Sequence, residues 1–138
     1  MIAEKETDFF ETQVIPKLLE ADVVVLVSSI YYYGINVQLK VVIDRFYGYN
    51  HELKDKRKSV VLCSGYGPQE GFRATGIYFE EFLKYMRWPN IATLYADSSF
   101  DENKLKVFAE EAYKLGKSLL KSSMISVYSF TFLENEIF

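Results

Sequence analysis

Cysteine and histidine each occur once in the 138 residues, as Cys63 and His51, which leaves no internal disulfide and no Cys- or His-built metal site. Basic charge is also scarce. Sixteen Lys and Arg against 19 Asp and Glu give a net charge of −3 and a pI near 5.2. No basic stripe exists to neutralise phosphates, so a nucleic-acid partner is not expected. Long apolar runs are missing too. The longest, Val23–Val27, is strand-sized, against about 20 residues for a membrane-spanning helix. No secretory signal is present, so neither a membrane role nor export is expected and the cytoplasm is the default compartment. Internal repeats and low-complexity tracts are absent. Aromatic residues, by contrast, are abundant: 11 Tyr and 11 Phe, with 49% apolar residues, enough to fill the core of one domain.

Along the chain, Asp8 is placed to cap a helix running to about Glu20, with Phe10, Val14 and Leu18 on one face. Pro16 lies inside it and calls for a kink or a fresh start near Ile15. "ADVVVLVSS" then reads as a strand buried on both faces, the pattern of a parallel sheet. From Asn36 to Tyr47 the period becomes helical, with Ile35, Leu39, Val42, Ile43 and Phe46 in a stripe. Gly48 is expected to stop that helix, leaving Tyr49–Lys58 as a polar loop. The cycle repeats with strand Ser59–Ser64, the loop "GYGPQEG" and a helix over about Thr75–Met86, broken at Trp88-Pro89-Asn90. Strand Ile91–Ala96 follows, and Asp101 caps a long helix to about Lys121 with Leu105, Phe108, Ala112 and Leu119 on one side. Strands alternating with helices predict an α/β domain, a parallel sheet covered on both faces.

In open parallel sheets ligands bind at the carboxyl ends of the strands. Two loops there have unusual chemistry. The first is Ser28-Ser29-Ile30-Tyr31-Tyr32-Tyr33-Gly34-Ile35-Asn36. Three successive phenols cannot all be core, since each needs a partner or water. Gly34 allows close approach or positive φ, and Asn36 opens a helix whose free N–H groups face the same place. A planar ring carrying carbonyl oxygens fits such a site. The second loop, Ser64-Gly65-Tyr66-Gly67, offers two glycines with an aromatic between them. The alternative is a pair of ordinary surface turns with incidental tyrosines.

The segment "LLEADVVVLVSSIYYYGINVQLKVVIDRFYG" resembles the central part of the NAD(P)H-dependent FMN reductases and iron–sulfur flavoproteins of the flavodoxin-like superfamily. Ser28, Ile30, Tyr31, Gln38, Leu39, Lys40, Ile43, Asp44 and Arg45 match that family's strand–loop–helix motif. Ser29 departs from it, standing where the family usually has Pro. A weaker match continues through Gly65–Gly67 and Phe79–Tyr85 to "EEAYKLGKSL", so the resemblance spans roughly Asp8 to Leu120. It implies a flavodoxin-like three-layer sandwich with FMN as cofactor, residues 28–36 along the isoalloxazine and residues 64–67 approaching from the next strand. It also implies hydride transfer from NAD(P)H through FMN to an acceptor, and a homo-dimer or higher homo-oligomer. No side chain stands out as acid, base or nucleophile, so no catalytic residue is assigned. Asp44 and Arg45 read as an ion-paired scaffold or dimer contact, Cys63 as a small buried residue, and His51 as solvated.

The full fold has five strands in the order 2-1-3-4-5. This sequence supplies strands 3-4-5, an N-terminally truncated version, with residues 1–121 a partial FMN-binding domain and 122–138 a tail. Neither the phosphate-binding loop after strand 1 nor the cysteine motif of the iron–sulfur branch has a counterpart. A non-enzymatic remnant and a flavodoxin-type electron carrier therefore stand as alternatives to a reductase. The tail reads as a strand over about Ile125–Leu133. It is either a disordered or lattice-pairing extension, or it enters the vacant slot parallel to Val23–Val27 by an allowed right-handed crossover.

Overall fold

The computed structural model describes residues 8–121 and 127–129. The β-branched run forms β1, Val23–Tyr31, which is buried on both faces over its first half. A two-residue strand β2, Gly34–Ile35, follows it, then α2, Val37–Arg45. Strands β3 (Lys58–Ser64) and β4 (Asn90–Ala96) complete the main sheet, separated by α4, Arg73–Met86. Pairing of β1 with β3 and of β3 with β4 is parallel, with Val25 opposite Val60 and Val61 opposite Thr93. The last helix, α5, runs from Glu102 to Lys121. These are the three strands and the α/β alternation expected from the sequence.

The remaining strand, β5, Val127–Ser129, lies parallel to β1 with Val23 opposite Val127 and Val25 opposite Ser129. Residues 127–129 of the tail thus dock in the slot beside Val23–Val25 and pair that edge. The rest of the expected strand, residues 125–126 and 130–133, lies outside the described residues.

The first helix is uneven for a physical reason. Residues Phe10–Val14 form a π-helical turn, and α1 restarts at Ile15–Glu20 with Pro16 in its first turn. Proline has no N–H to donate, so the ladder widens before it and begins again, at the position its sequence demands. Asp8 accepts a bond from the Phe10 N–H. Asn36 and Asp101 cap α2 and α5 through Leu39 N and through Asn103 N and Lys104 N.

Two expectations fail between α2 and β3. Gly48 does not end the structure there, because a 3-10 turn, Phe46–Tyr49, leads into a short helix α3, Asn50–Leu53. Phe46 and Leu53 are fully buried and draw the segment against the core, where the Trp88 indole N–H donates to the Leu53 carbonyl at 2.8 Å. Arg57 completes this region. Its buried guanidinium donates to carbonyls of Leu18 and Leu19 at the end of α1, and to those of Leu53 and Asp55. Helix C-termini offer unpaired carbonyls and partial negative charge, so a cation there is satisfied although it is desolvated. The desolvation holds its pKa below the usual value.

The core divides by sheet face. Val24, Leu26 and Val61 pack against α1, α2, α4 and Trp88, whereas Val23, Val25 and Val60 meet Leu119 and Leu115 of α5. The α5 positions expected to point inward do so, but Leu105, Phe108 and Ala112 are only half-buried.

Candidate functional site

The chain does not leave β1 at Ser28. The strand continues to Tyr31 and turns back through Tyr32 and Tyr33, so that Ile30 pairs with Ile35 and Tyr31 with Gly34. The nine-residue stretch expected as an open loop is a β-hairpin instead. Its two-residue turn has φ of 47° at Tyr32 and 66° at Tyr33. Positive φ at both central positions matches the twist of the flanking strands, and Asn or Gly usually provides it. Here tyrosines do, and Gly34, which the sequence left open to either close approach or positive φ, does not have positive φ.

The two strand-end loops converge at the carboxyl end of the sheet on one cleft of about 280 Å³. Ile30, Tyr32 and Tyr33 form one wall, and Gly65, Tyr66, Gly67 and Pro68 the other. Gly71 and Phe72 close the floor, where Phe72 is stacked on Tyr95 with ring centroids 4.8 Å apart and planes within 9°. Tyr66 leans on Phe100 of the following loop at 4.9 Å. Backbone bonds zip those two loops together, from Gly65 N to Ala96 O, Ser98 N to Gly67 O and Ser99 N to Gly65 O. The Tyr66 wall is therefore fixed to β4 as well as to β3.

The expected site residues fall into two groups. Ile30, Tyr32, Tyr33, Gly65, Tyr66 and Gly67 line the cleft. Ser28, Ser29, Tyr31, Gly34, Ile35, Asn36 and Ser64 stand behind or beside it, and several have structural partners. Buried Ser28 accepts the Asn36 N–H at 2.9 Å and donates to the Ser29 carbonyl, and Asn36 is occupied in capping α2. The Asn36 N–H and the Leu39 N–H are thus spent within the chain, where the sequence suggested donors free for a ligand. Pro68, Gly71 and Phe72 were not foreseen as lining residues. The glycine-rich run from Gly65 to Gly71 was the signal that pointed to them.

The space suits a flat ring. A Cβ built on Gly67 or Gly71 would meet nothing within 4 Å, and on Gly34 only the Tyr31 carbonyl at 3.8 Å. Gly65 differs: its Cβ would approach the Phe72 ring at 3.2 Å and Ile30 at 3.6 Å, so that glycine serves internal packing. Open glycines at Gly67 and Gly71 beside three aromatic side chains, Tyr32, Tyr33 and Tyr66, are a lining that the isoalloxazine of a flavin would suit. The lining residues carry no charged side chain to pair with a phosphate. Cys63 lies behind the cleft, and burial pushes its thiol up to about 12, which keeps it an inert thiol. Asp44 and Arg45 are scaffold: Lys40 pairs with Asp44, and Arg45 pairs with Asp8 while lying 4.3 Å over the Phe10 ring. His51 is exposed on α3. No group of metal-binding side chains occurs among the described residues.

A parallel sheet wrapped by helices, with a cleft at its carboxyl end, defines a doubly wound α/β protein of flavodoxin type. A family model described as flavodoxin-like fold matches residues 3–119, and the chain belongs to that family. Among solved structures it is similar to the Trp repressor binding protein from Bacillus subtilis, with 18% identity and a TM-score of 0.59 over 78% of this chain and 68% of that one. It is also similar to a structure described as a thermophilic tryptophan halogenase from Streptomycin violaceusniger, with 16% identity and a TM-score of 0.62 over 86% and 76%. At such identities the likeness is one of fold. No curated protein matches the chain.

Proposed function

We propose that this chain is the flavin-binding domain of an oxidoreductase that uses FMN, takes hydride from NAD(P)H and passes electrons to an acceptor. The observation that carries this reading is the convergence of the two strand-end loops on one cleft, lined by Tyr32, Tyr33 and Tyr66 and opened by Gly67 and Gly71. A bound flavin would supply the redox chemistry, accepting hydride and releasing electrons. The chain's own residues bind and orient. Tyr32, Tyr33 and Tyr66 are exposed aromatic side chains against which a ring could pack, while Gly67 and Gly71 would admit its edge. No carboxylate, imidazole or thiol lines the cleft. In this reading the chain contributes chiefly positioning of the ring, and the phenols of Tyr32, Tyr33 and Tyr66 are the titratable groups that line the cleft.

Three further parts of the reading concern surroundings. The acidic balance leaves nucleic acid out, and no described helix is long and apolar enough to cross a membrane. We place the protein in the cytoplasm. It works as a homo-dimer or higher homo-oligomer, and the surface that suits this is the apolar groove of about 400 Å³ between α2 and α4. Tyr47, Ile77 and Tyr85 are more than half exposed there. The edge of β1 is partly covered by β5 and β2.

The test is spectroscopic and kinetic. Purified protein mixed with FMN should bind it with a shifted flavin absorbance and quenched fluorescence, and should oxidise NADH or NADPH only when flavin is present. Binding without turnover would make it an electron carrier, and no binding would overturn the assignment.

A further inference from the structure

We propose that Thr75 is the positioning residue of the cleft: its hydroxyl, donated from the first turn of α4 to the Tyr33 carbonyl, holds a strained aromatic turn over the ring site. This rests on the flavin-cleft reading above. The turn is an expensive one to keep. Both Tyr32 and Tyr33 carry a Cβ at positive φ, where bulky residues are genuine outliers. The hairpin that presents them has only two pairs, Ile30 with Ile35 and Tyr31 with Gly34, and so short a hairpin is not stable by itself. Nor do the rings repay the strain by packing. Tyr32 is fully exposed and Tyr33 is more than half exposed.

Two contacts fix the base of the hairpin, from the Asn36 N–H to Ser28 and from the Leu39 N–H to Asn36. Neither reaches the turn. The bond that does is Thr75 Oγ1 to the Tyr33 carbonyl, 2.8 Å long, from a side chain only 1% exposed. The placement of Thr75 gives this bond a geometric consequence. Three residues earlier, Phe72 stands at the N-cap position of α4 and, with Gly71, lines the cleft. One helix start therefore carries the floor and holds the opposite wall, so the Thr75 bond sets the width between them. Strain retained in aromatic residues at a cleft, over-determined by a buried anchor, is the arrangement expected of a binding clamp.

Two variants separate the anchor from mere packing. Thr75→Val keeps the shape and removes the donor, whereas Thr75→Ser keeps the donor. Ser59→Ala is the control, because that buried hydroxyl bonds the Pro89 carbonyl at the far end of the sheet. Amide exchange is measured first, in protein without flavin. Thr75→Val should speed exchange at residues 33–35 about tenfold, while Thr75→Ser and Ser59→Ala should leave it at the parental rate. Riboflavin is then titrated by fluorescence. Its dissociation constant should rise about tenfold in Thr75→Val, stay within about twofold in Thr75→Ser, and not move in Ser59→Ala even if its melting temperature falls. Parental exchange and affinity in Thr75→Val, or a Thr75→Ser variant as impaired as Thr75→Val, would overturn the proposal. If the parent protein holds no riboflavin, the flavin reading fails by itself, and unchanged exchange in Thr75→Val would then reject the anchor separately.

Discussion

Gly67→Val should remove ring binding while sparing the fold, because Gly67 faces the cleft and almost nothing else. A Cβ there meets no atom within 4 Å, and the residue has no positive φ to violate. Its carbonyl bond from Ser98 N is a backbone interaction that a side chain leaves intact. The folded protein should therefore lose under about 0.5 kcal/mol, the range of a surface substitution. A bound ring would lose its place against this wall. If the wall covers on the order of 100 Å² of ring surface, at about 25 cal/mol per Å² the loss is about 2.5 kcal/mol, or roughly 60-fold in dissociation constant. Gly65→Ala provides the contrast, since its Cβ would press on Phe72 and Ile30 and cost stability even without ligand. Riboflavin fluorescence titration and thermal melts, run on both variants and the parent, give the two quantities independently. Parental affinity in Gly67→Val would show that a ring does not bind between these walls, whatever its effect on the melt.

Other consequences can be read in solution. With no charged side chain lining the cleft, FMN and riboflavin should bind within about threefold of one another, and a strong calorimetric preference for FMN would reveal a phosphate holder elsewhere. The Arg45 side chain, and then the Phe10 N–H, hold the Asp8 carboxyl below its ordinary value of 3.8. A depressed carboxyl stabilises the fold above that value and ceases to do so as pH falls through its lower folded value, so the melting difference between parent and Asp8→Asn should be full near neutrality and vanish in acid. A difference independent of pH would remove the ion pair as its cause. Deleting residues 123–138 exposes the Val23–Val25 edge that β5 pairs. At about 1 kcal/mol for each of roughly three lost ladder bonds, the melting temperature should drop by about 10 °C, and an unchanged melt would show that β5 contributes nothing.

Much of the fold was legible because local chemistry and tertiary role agree. Val23–Val27 is β-branched since it is buried from both sides, and Asp8, Asn36 and Asp101 advertise helix starts that they do cap. The region around α3 was illegible for the opposite reason. Its order comes from Arg57 reaching Leu18 and Leu19, almost 40 positions away in sequence, and from Trp88 reaching back to Leu53. Neither bond leaves a periodic trace. Read locally, Tyr49–Lys58 is polar and carries a single Leu, which is what a loop looks like.

The site was half legible, and the dividing line is instructive. That two consecutive strand-end loops hold tyrosine and glycine was visible, and six of those residues do meet at one cleft. What the sequence concealed was the direction of each tyrosine. Standard turn chemistry assigns positive φ to Gly34, yet the pairing of Tyr31 with Gly34 puts the turn one step earlier. The shift follows from alternation along β1: pairing Ile30 with Ile35 seats two partly buried apolar side chains against the core, and this register then forces Tyr32 and Tyr33 into the turn. Burial of two isoleucines thus outweighs the preference of the turn for glycine. The edge of β1 is used twice as a result, by β5 over Val23–Val25 and by the hairpin over Ile30–Tyr31. A strand whose edge is occupied at both ends is a poor template for another chain. The same hairpin that occupies the edge also brings Tyr32 and Tyr33 to the cleft.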